Sequence, residues 1–265
     1  MKPAKVLILG DSHFRRAMNP AYFQSAINVS QQGEPYVASL WKLKKLQPIV
    51  QPDTVFIAFS PYNIAAFNDL KFVNPMWATM MFERYHSILD FKDLEKVDVN
   101  LKTYYRVLLN EMGLLPNKNP INYIGEFIKE DDGINRTHNF KGVIDRHFYQ
   151  EEKELGISET SVAYLDSLIQ FCKRRNIEPI LIGTPVHQRY YNLIPKMVQK
   201  RFLIEKKRLE NSGVTVIDKT ADFYPDSCYL DADHLNSKGM KVFIEALSLK
   251  LQNTTASKGK RLQNN

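Results

Sequence analysis

Ser12 lies in the run Gly10-Asp11-Ser12-His13, directly after the apolar stretch Lys5 to Leu9, and near the other terminus Asp231 stands three residues before His234. A serine hydroxyl is a weak nucleophile until a base takes its proton, and an imidazole is a directed base only when a carboxylate fixes its tautomer. These residue types therefore predict acyl chemistry, with Ser12 as nucleophile, His234 as base and Asp231 as the orienting acid. On a loop entering a helix, an acid three residues before a histidine can reach Nδ1 and leave Nε2 facing the serine. Asp233 competes for the orienting role, but side chains of adjacent residues diverge, which favours Asp231. His13 can tune the nucleophile or touch the substrate, although a histidine merely adjacent in sequence ordinarily points elsewhere.

Such residues need a scaffold that brings the two ends of the chain together. Short apolar runs recur at Lys5 to Leu9, Thr54 to Phe59, Pro179 to Ile182 and Val214 to Ile217, with a weaker one at Ser25 to Val29. Runs of this length without polar alternation suit strands buried on both faces of a parallel sheet. Helical patterns alternate with them. One runs from Val162 to Arg175 behind a Ser158–Ser161 cap, one from Ile194 to Asn211 with Gly213 as its stop, and one from Ser237 to Leu251 with Val242, Phe243, Ala246 and Leu247 on one face. The order predicts a doubly wound, three-layer α/β fold of flavodoxin-like type. Ser12 then sits at the C-terminal end of a strand and at a helix N-terminus, where such sheets place ligands.

The stretch from about 64 to 150 breaks the alternation. Helical patterns at Pro75 to Leu89 and Leu101 to Met112 precede a polar loop from Pro116 to Asn139, which predicts a mainly helical insertion after the third strand. It suits a lid or an interface. Trp77, Met80, Met81, Phe82 and Tyr85 can line an acyl pocket, although such stripes commonly serve packing. The expected organisation is one domain over 1–252 carrying this insertion, then a disordered basic tail over 253–265.

The chain has 265 residues, 44% of them hydrophobic, enough for a full core. Its net charge of +7 reflects 36 basic against 29 acidic residues, without the clustering of a nucleic-acid site. Cys172 and Cys228 are the only cysteines. They suit neither a disulfide framework nor a zinc site, so reduced structural thiols are expected. No run approaches a membrane span, and the first strand begins too early for a signal peptide. As written, the chain reads as soluble and cytoplasmic, or as envelope-associated if a native signal or anchor was removed. The sequons at Asn28, Asn135 and Asn253 are then accidental.

The Gly10-Asp11-Ser12 and Asp231-x-x-His234 blocks resemble those of the SGNH/GDSL hydrolase superfamily. The resemblance extends to Asn28-Val29-Ser30-Gln31-Gln32-Gly33, which follows that family's second block, and implies that the Gly33 and Ser12 N–H groups bind the oxyanion. The third block departs from the family's Gly-x-Asn-Asp. Here the strand ends in Phe59-Ser60-Pro61-Tyr62-Asn63, Tyr62 fills the usual asparagine slot, and Asn63 falls one place later. The resemblance implies an esterase or O-acyltransferase needing no metal or organic cofactor and acting on short acyl esters, acetyl first, of a carbohydrate or small molecule. The Gly-Asp-Ser-His opening and the Asp-x-x-His-Leu-Asn-x-x-Gly ending look most like bacterial members linked to cell-envelope polysaccharide acylation. A catalytically weak carbohydrate- or protein-binding module is the alternative, favoured by the altered third block.

Beyond the family blocks, Gly183 to Tyr190 follows a predicted strand and would join the same edge of the sheet. Thr184, His187 and Arg189 are candidates there, with Tyr62, to hold a sugar hydroxyl or an anionic group. His86, His138 and His147 show no metal-ligand spacing and are given no role.

Overall fold

The computed structural model describes residues 1–94, 96–114, 123–129 and 139–262. Strand β1 (Val6–Leu9) leads into α1 (Ser12–Ala17), and β2 (Ala26–Asn28) is followed by α2 (Tyr36–Val50) and β3 (Thr54–Ala58). Next come α3 (Pro75–Tyr85), α4 (Phe91–Leu94), α5 (Leu101–Glu111), α6 (Phe140–Phe148) and a small hairpin of β4 (Tyr149–Gln150) and β5 (Lys153–Glu154). The chain then runs through α7 (Glu159–Lys173), β6 (Glu178–Gly183), α8 (Gln188–Leu193), α9 (Lys196–Asn211), β7 (Thr215–Asp218) and α10 (Ser237–Leu262).

Five strands form one parallel sheet in the order β2-β1-β3-β6-β7. Numbered within the sheet alone, this is the flavodoxin-like order. The inner strands β1, β3 and β6 are buried on both faces, as their apolar runs require, whereas the edge strands β2 and β7 are mostly half-buried. Leu7, Leu9, Val55, Ile57 and Leu181 pack with Leu43 of α2, Leu168 of α7 and Phe202 of α9. Ile8, Phe56, Ala58, Ile182 and Ile217 pack on the other side with Phe14 of α1 and Phe243 and Ile244 of α10. The three expected layers are therefore present. Because β1 pairs with β2 on one side and β3 on the other, the strand order reverses at β1, and it is outside the carboxyl ends of such strands that sheets of this kind place their ligands.

Several elements depart from expectation. Helix α2 carries no pattern that the sequence betrayed, since Lys42 and Ser39 are buried along with Trp41 and Leu43, and Pro48 lies inside it. The helix expected over Ile194 to Asn211 is α9, which starts two residues later because Ile194 and Pro195 are extended, and the separate short helix α8 precedes it. The tail expected to lack order from 253 continues α10 as helix to Leu262, beyond the apolar face that ends at Leu251, and 263–265 lie outside the described residues. A formed helix extends through polar residues at little cost per residue. Of the polar loop expected over 116–139, only 123–129 and Asn139 are described, so Asn135 and His138 lie outside. Asn28 is buried and gives its amide to the Phe14 and Met18 carbonyls, so it cannot serve as a surface glycan acceptor. Cys172 and Cys228 are free and buried. Among the described residues no helix is long and apolar enough to cross a membrane.

Candidate active site

The turn after β1 is compressed. A Cβ on Gly10 would lie 2.8 Å from both the Ala58 and Phe14 Cβ atoms, so only glycine lets this turn pack on β3. Asp11 then caps α1, its Oδ1 accepting from the His13 N–H at 2.8 Å, which puts Ser12 at the first helical position. At the far end of the chain, Asn236 fastens the loop before α10. Its amide donates to the Ser227 and Tyr229 carbonyls, while its Oδ1 accepts from the Lys238 and Gly239 N–H groups.

Those two loops meet. His234 Nε2 lies 2.8 Å from Ser12 Oγ, and His234 Nδ1 lies 2.9 and 3.0 Å from the two carboxylate oxygens of Asp231. Asp231 Oδ1 also accepts from the backbone N–H groups of Asp233 and His234, which fixes the carboxylate in its own loop. The arrangement can pass the serine proton to a histidine already oriented by an acid.

Two neighbours come closer than adjacency in sequence suggested. Asp233 does not diverge: its Oδ1 lies 3.3 Å from His234 Nδ1, outside the Asp231 contact but near enough to act on the ring. His13 turns inward and stacks on His234 with centroids 4.4 Å apart. His13 Nε2 sits 3.4 Å from Asp233 Oδ2 and Nδ1 sits 3.3 Å from Asp11 Oδ1. Asp11, His13 and Asp233 are all buried. The sequence carried both residues in view, and only the pairing of the two loops shows that they face each other.

The second and third blocks border the same turn. Gly33 has φ +67°, in the left-handed region that favours glycine, and Trp77, Met80 and Met81 of α3 pack over it. The loop before it is clamped by buried charge. Lys42 donates to the Val29 carbonyl at 2.7 Å and pairs with Glu34, which also accepts from Ser39 Oγ and Tyr85 Oη. The Arg84 guanidinium donates to the Gln32 carbonyl at 2.6 Å. After β3, Asn63 gives an amide proton to Asp11 Oδ2 at 2.5 Å and accepts from Ser60 Oγ. Tyr62 instead sets its ring against His13, tilted by 35° with centroids 4.5 Å apart, and its hydroxyl is buried with no hydrogen-bond partner among the described residues. Asn68, which the sequence did not single out, donates to the carbonyls of Tyr62, Asn63 and Ala65 and accepts from Lys71, so it sets the shape of this turn.

The loop after β6 is used differently. His187 Nδ1 accepts from the Arg189 N–H and caps α8, while Nε2 pairs with Asp226 at 3.1 Å. Arg189 lies over the Phe140 ring, and Thr184 is buried. His147 packs behind Tyr62 and bonds the Tyr190 hydroxyl at 2.7 Å. His86 meets the Phe82 carbonyl.

The charges explain the ionisation states. Burial opposes charging of His234, but the Asp233 charge and the contacts from Asp231 and Asp233 outweigh it and lift the imidazole to about 10. For His13, burial and the His234 charge push down, and Asp11 and Asp233 push up further, leaving it raised. Burial works against ionised Asp11 and Asp233, yet the histidines hold both carboxyls below the ordinary range. Burial, helped by the charges of Arg146, His13 and Lys71 against that of Asp233, drives His147 down to about 3, so that ring stays neutral.

His13, Asp233 and His234 each place a metal-ligand atom within 4.8 Å of the others. The two rings, however, are stacked with 23° between their planes. An imidazole binds a metal in its own ring plane, and near-parallel stacked planes do not aim their lone pairs at one point.

A protein-family profile matches residues 139–256. No curated protein matches the chain. Among solved structures, the chain is similar to a lipase/acylhydrolase from Enterococcus faecalis at 13% identity and TM-score 0.45, covering 96% of this chain and 97% of that one. It is similar to a GDSL-like lipase from Bacteroides thetaiotaomicron at 10% identity and TM-score 0.44, covering 93% and 88%. A catalytic mutant of an acetylxylan esterase from Geobacillus stearothermophilus gives 13% identity and TM-score 0.42, covering 93% and 94%.

Proposed function

We propose that the chain is an SGNH/GDSL-type serine esterase or O-acyltransferase that works through an acyl-enzyme on Ser12. The observation that carries this reading is the continuous chain from Asp231 through His234 to Ser12, at 2.9 and 2.8 Å. Ser12 Oγ adds to the ester carbonyl as His234 Nε2 takes its proton. The tetrahedral intermediate then expels the alcohol, which receives that proton, and water or a sugar hydroxyl resolves the acyl-enzyme. The oxyanion falls to the N–H groups of Ser12 and Gly33, neither of which donates to a protein group among the described residues, and to the second amide proton of Asn63.

The segment 64–150 supports a wall or lid over this centre, since Trp77, Met80 and Met81 stand against Gly33. A wall so close to the oxyanion glycine favours a short acyl group, acetyl first. The raised His234 favours a second reading, a binding module with weak or no turnover, because a base lifted to about 10 is mostly protonated at neutral pH.

Intact-mass detection of fluorophosphonate labelling, on wild type and Ser12→Ala at pH 7 and pH 10, tests the proposal. It is paired with p-nitrophenyl esters from acetyl to octanoyl. Ser12-dependent labelling with preference for acetyl supports the esterase. Absence of labelling at both pH values rejects it in favour of the binding module.

A further inference from the structure

Three carboxylates crowd the candidate site, and two of them, Asp231 and Asp233, face the same nitrogen of His234. Two negative charges beside one base overstabilise its protonated form, which works against general-base action. Asp233 is also buried, as is Asp11 on the other side of His13, and buried carboxylates require a compensating charge. The one group placed between these two acids is His13, with one ring nitrogen toward each. Neither His13 nitrogen makes a hydrogen bond among the described residues, so its link to the two acids is one of charge at 3.3 and 3.4 Å, which only the protonated ring supplies.

We propose that His13 is a positioning residue of this site, a fixed cation between Asp11 and Asp233 that offsets part of the pull of Asp233 on His234, while Asp231 sets the orientation of the imidazole. It would also join the two halves of the centre. On one side Asp233 reaches His234, and on the other Asp11 holds the amide of Asn63. The groups facing His13 are Asp11 from the β1–α1 turn, Asp233 and His234 from the loop before α10, and Tyr62 from the turn after β3. Lys71 adds a charge that acts on Asp11, and His147 adds a titratable but neutral ring beside His13, in the same buried neighbourhood. The raised ionisation of His13 agrees with the geometry. This inference deepens the esterase reading and takes its catalytic meaning from it, while the charge state itself can be read without turnover.

The test is imidazole 15N NMR of the full chain, with His13 assigned by His13→Gln and His234 by His234→Asn. Both His13 nitrogens protonated at pH 7 is the expected result, and a neutral tautomer at that pH overturns the proposal. In His13→Gln the His234 titration moves upward by about one pH unit or more, and in Asp233→Asn it moves downward. A His234 midpoint unmoved in a folded His13→Gln overturns it. If His13→Gln does not fold, the wild-type charge state still decides, with assignment through the Asp233→Asn perturbation. Titrations altered by chelator and restored by zinc would place a metal on His13, Asp233 and His234 and also overturn it. A cationic His13 in a protein never labelled at Ser12 would defeat the esterase reading alone.

Discussion

Asn63 donates its side-chain amide to Asp11 Oδ2 at 2.5 Å, so the turn after β3 is tied to the turn that carries Ser12. The segment after β3 therefore delivers an amide to the turn that carries Ser12. The 3-10 turn Pro61–Ile64 carries Asn63, with Asn68 bridging its carbonyls.

If that amide serves the oxyanion, Asn63→Ala lowers kcat by about 10²–10³-fold with KM nearly unchanged, the effect of losing one such donor. Asp11→Asn gives a smaller loss, because it loosens Asn63 and weakens the α1 cap without removing the donor. Steady-state kinetics on p-nitrophenyl acetate for both variants checks the order. Equal losses would mean that the two residues act only as one structural unit.

His234 sets the pH dependence. Its neutral form is the one able to accept the Ser12 proton, so kcat/KM rises about tenfold per pH unit through neutrality and levels near pH 10, where the imidazole titrates. Stability runs the other way. A histidine raised in the folded state stabilises it fully below its unfolded value near 6.5, and that contribution disappears as pH climbs through about 10. Thermal melts should therefore show Tm falling between pH 7 and 10 in wild type and flattening in His234→Asn.

The Lys42–Glu34 pair tests what holds the Gly33 loop. Both side chains are fully buried, and Lys42 also carries the Val29 carbonyl. Lys42→Met leaves Glu34 charged without its partner and should cost about 3–5 kcal/mol in urea unfolding. The double variant Lys42→Met/Glu34→Gln should recover most of that loss. A double variant as unstable as the single one would show that the hydrogen bond to Val29, and not charge compensation, is what Lys42 supplies.

The sheet was legible because its inner strands are buried on both faces, and a fully apolar run such as Val6 to Leu9 has few other destinations. Ser12, Asp231 and His234 could be singled out in the sequence because the acyl chemistry expected of them restricts residue types and local spacing, and the fold brings the three within hydrogen-bond distance. Helix α2 escaped notice for a physical reason: its buried Lys42 is compensated by Glu34, whose position depends on the fold. His13 and Asp233 were in view as candidates, but the contact between them was hidden for a related one. Each looks unremarkable beside its own neighbour in sequence, and their meaning lies in a contact between opposite ends of the chain. Asn68 acts through backbone carbonyls of the turn after β3, which no pattern of side chains reports.

Two glycines separate folding from chemistry. At Gly10 an added methyl meets the Ala58 and Phe14 Cβ atoms at 2.8 Å, and neither can withdraw without moving β3 or α1, so Gly10→Ala should cost stability first. At Gly33 the added methyl meets Trp77 at 3.6 Å, an ordinary contact, and the cost lies in the backbone, where φ of +67° penalises an L-residue by about 1–2 kcal/mol. Relief of that strain rotates the peptide and turns the Gly33 N–H away from its present direction. Gly33→Ala should therefore lose kcat about 10-fold or more, with Tm lowered only slightly. Gly10→Ala should lower Tm strongly while the folded fraction keeps its turnover. Melting curves and active-site titration with a fluorophosphonate on both variants make the comparison. A Gly33→Ala protein with full kcat would remove Gly33 from the oxyanion role.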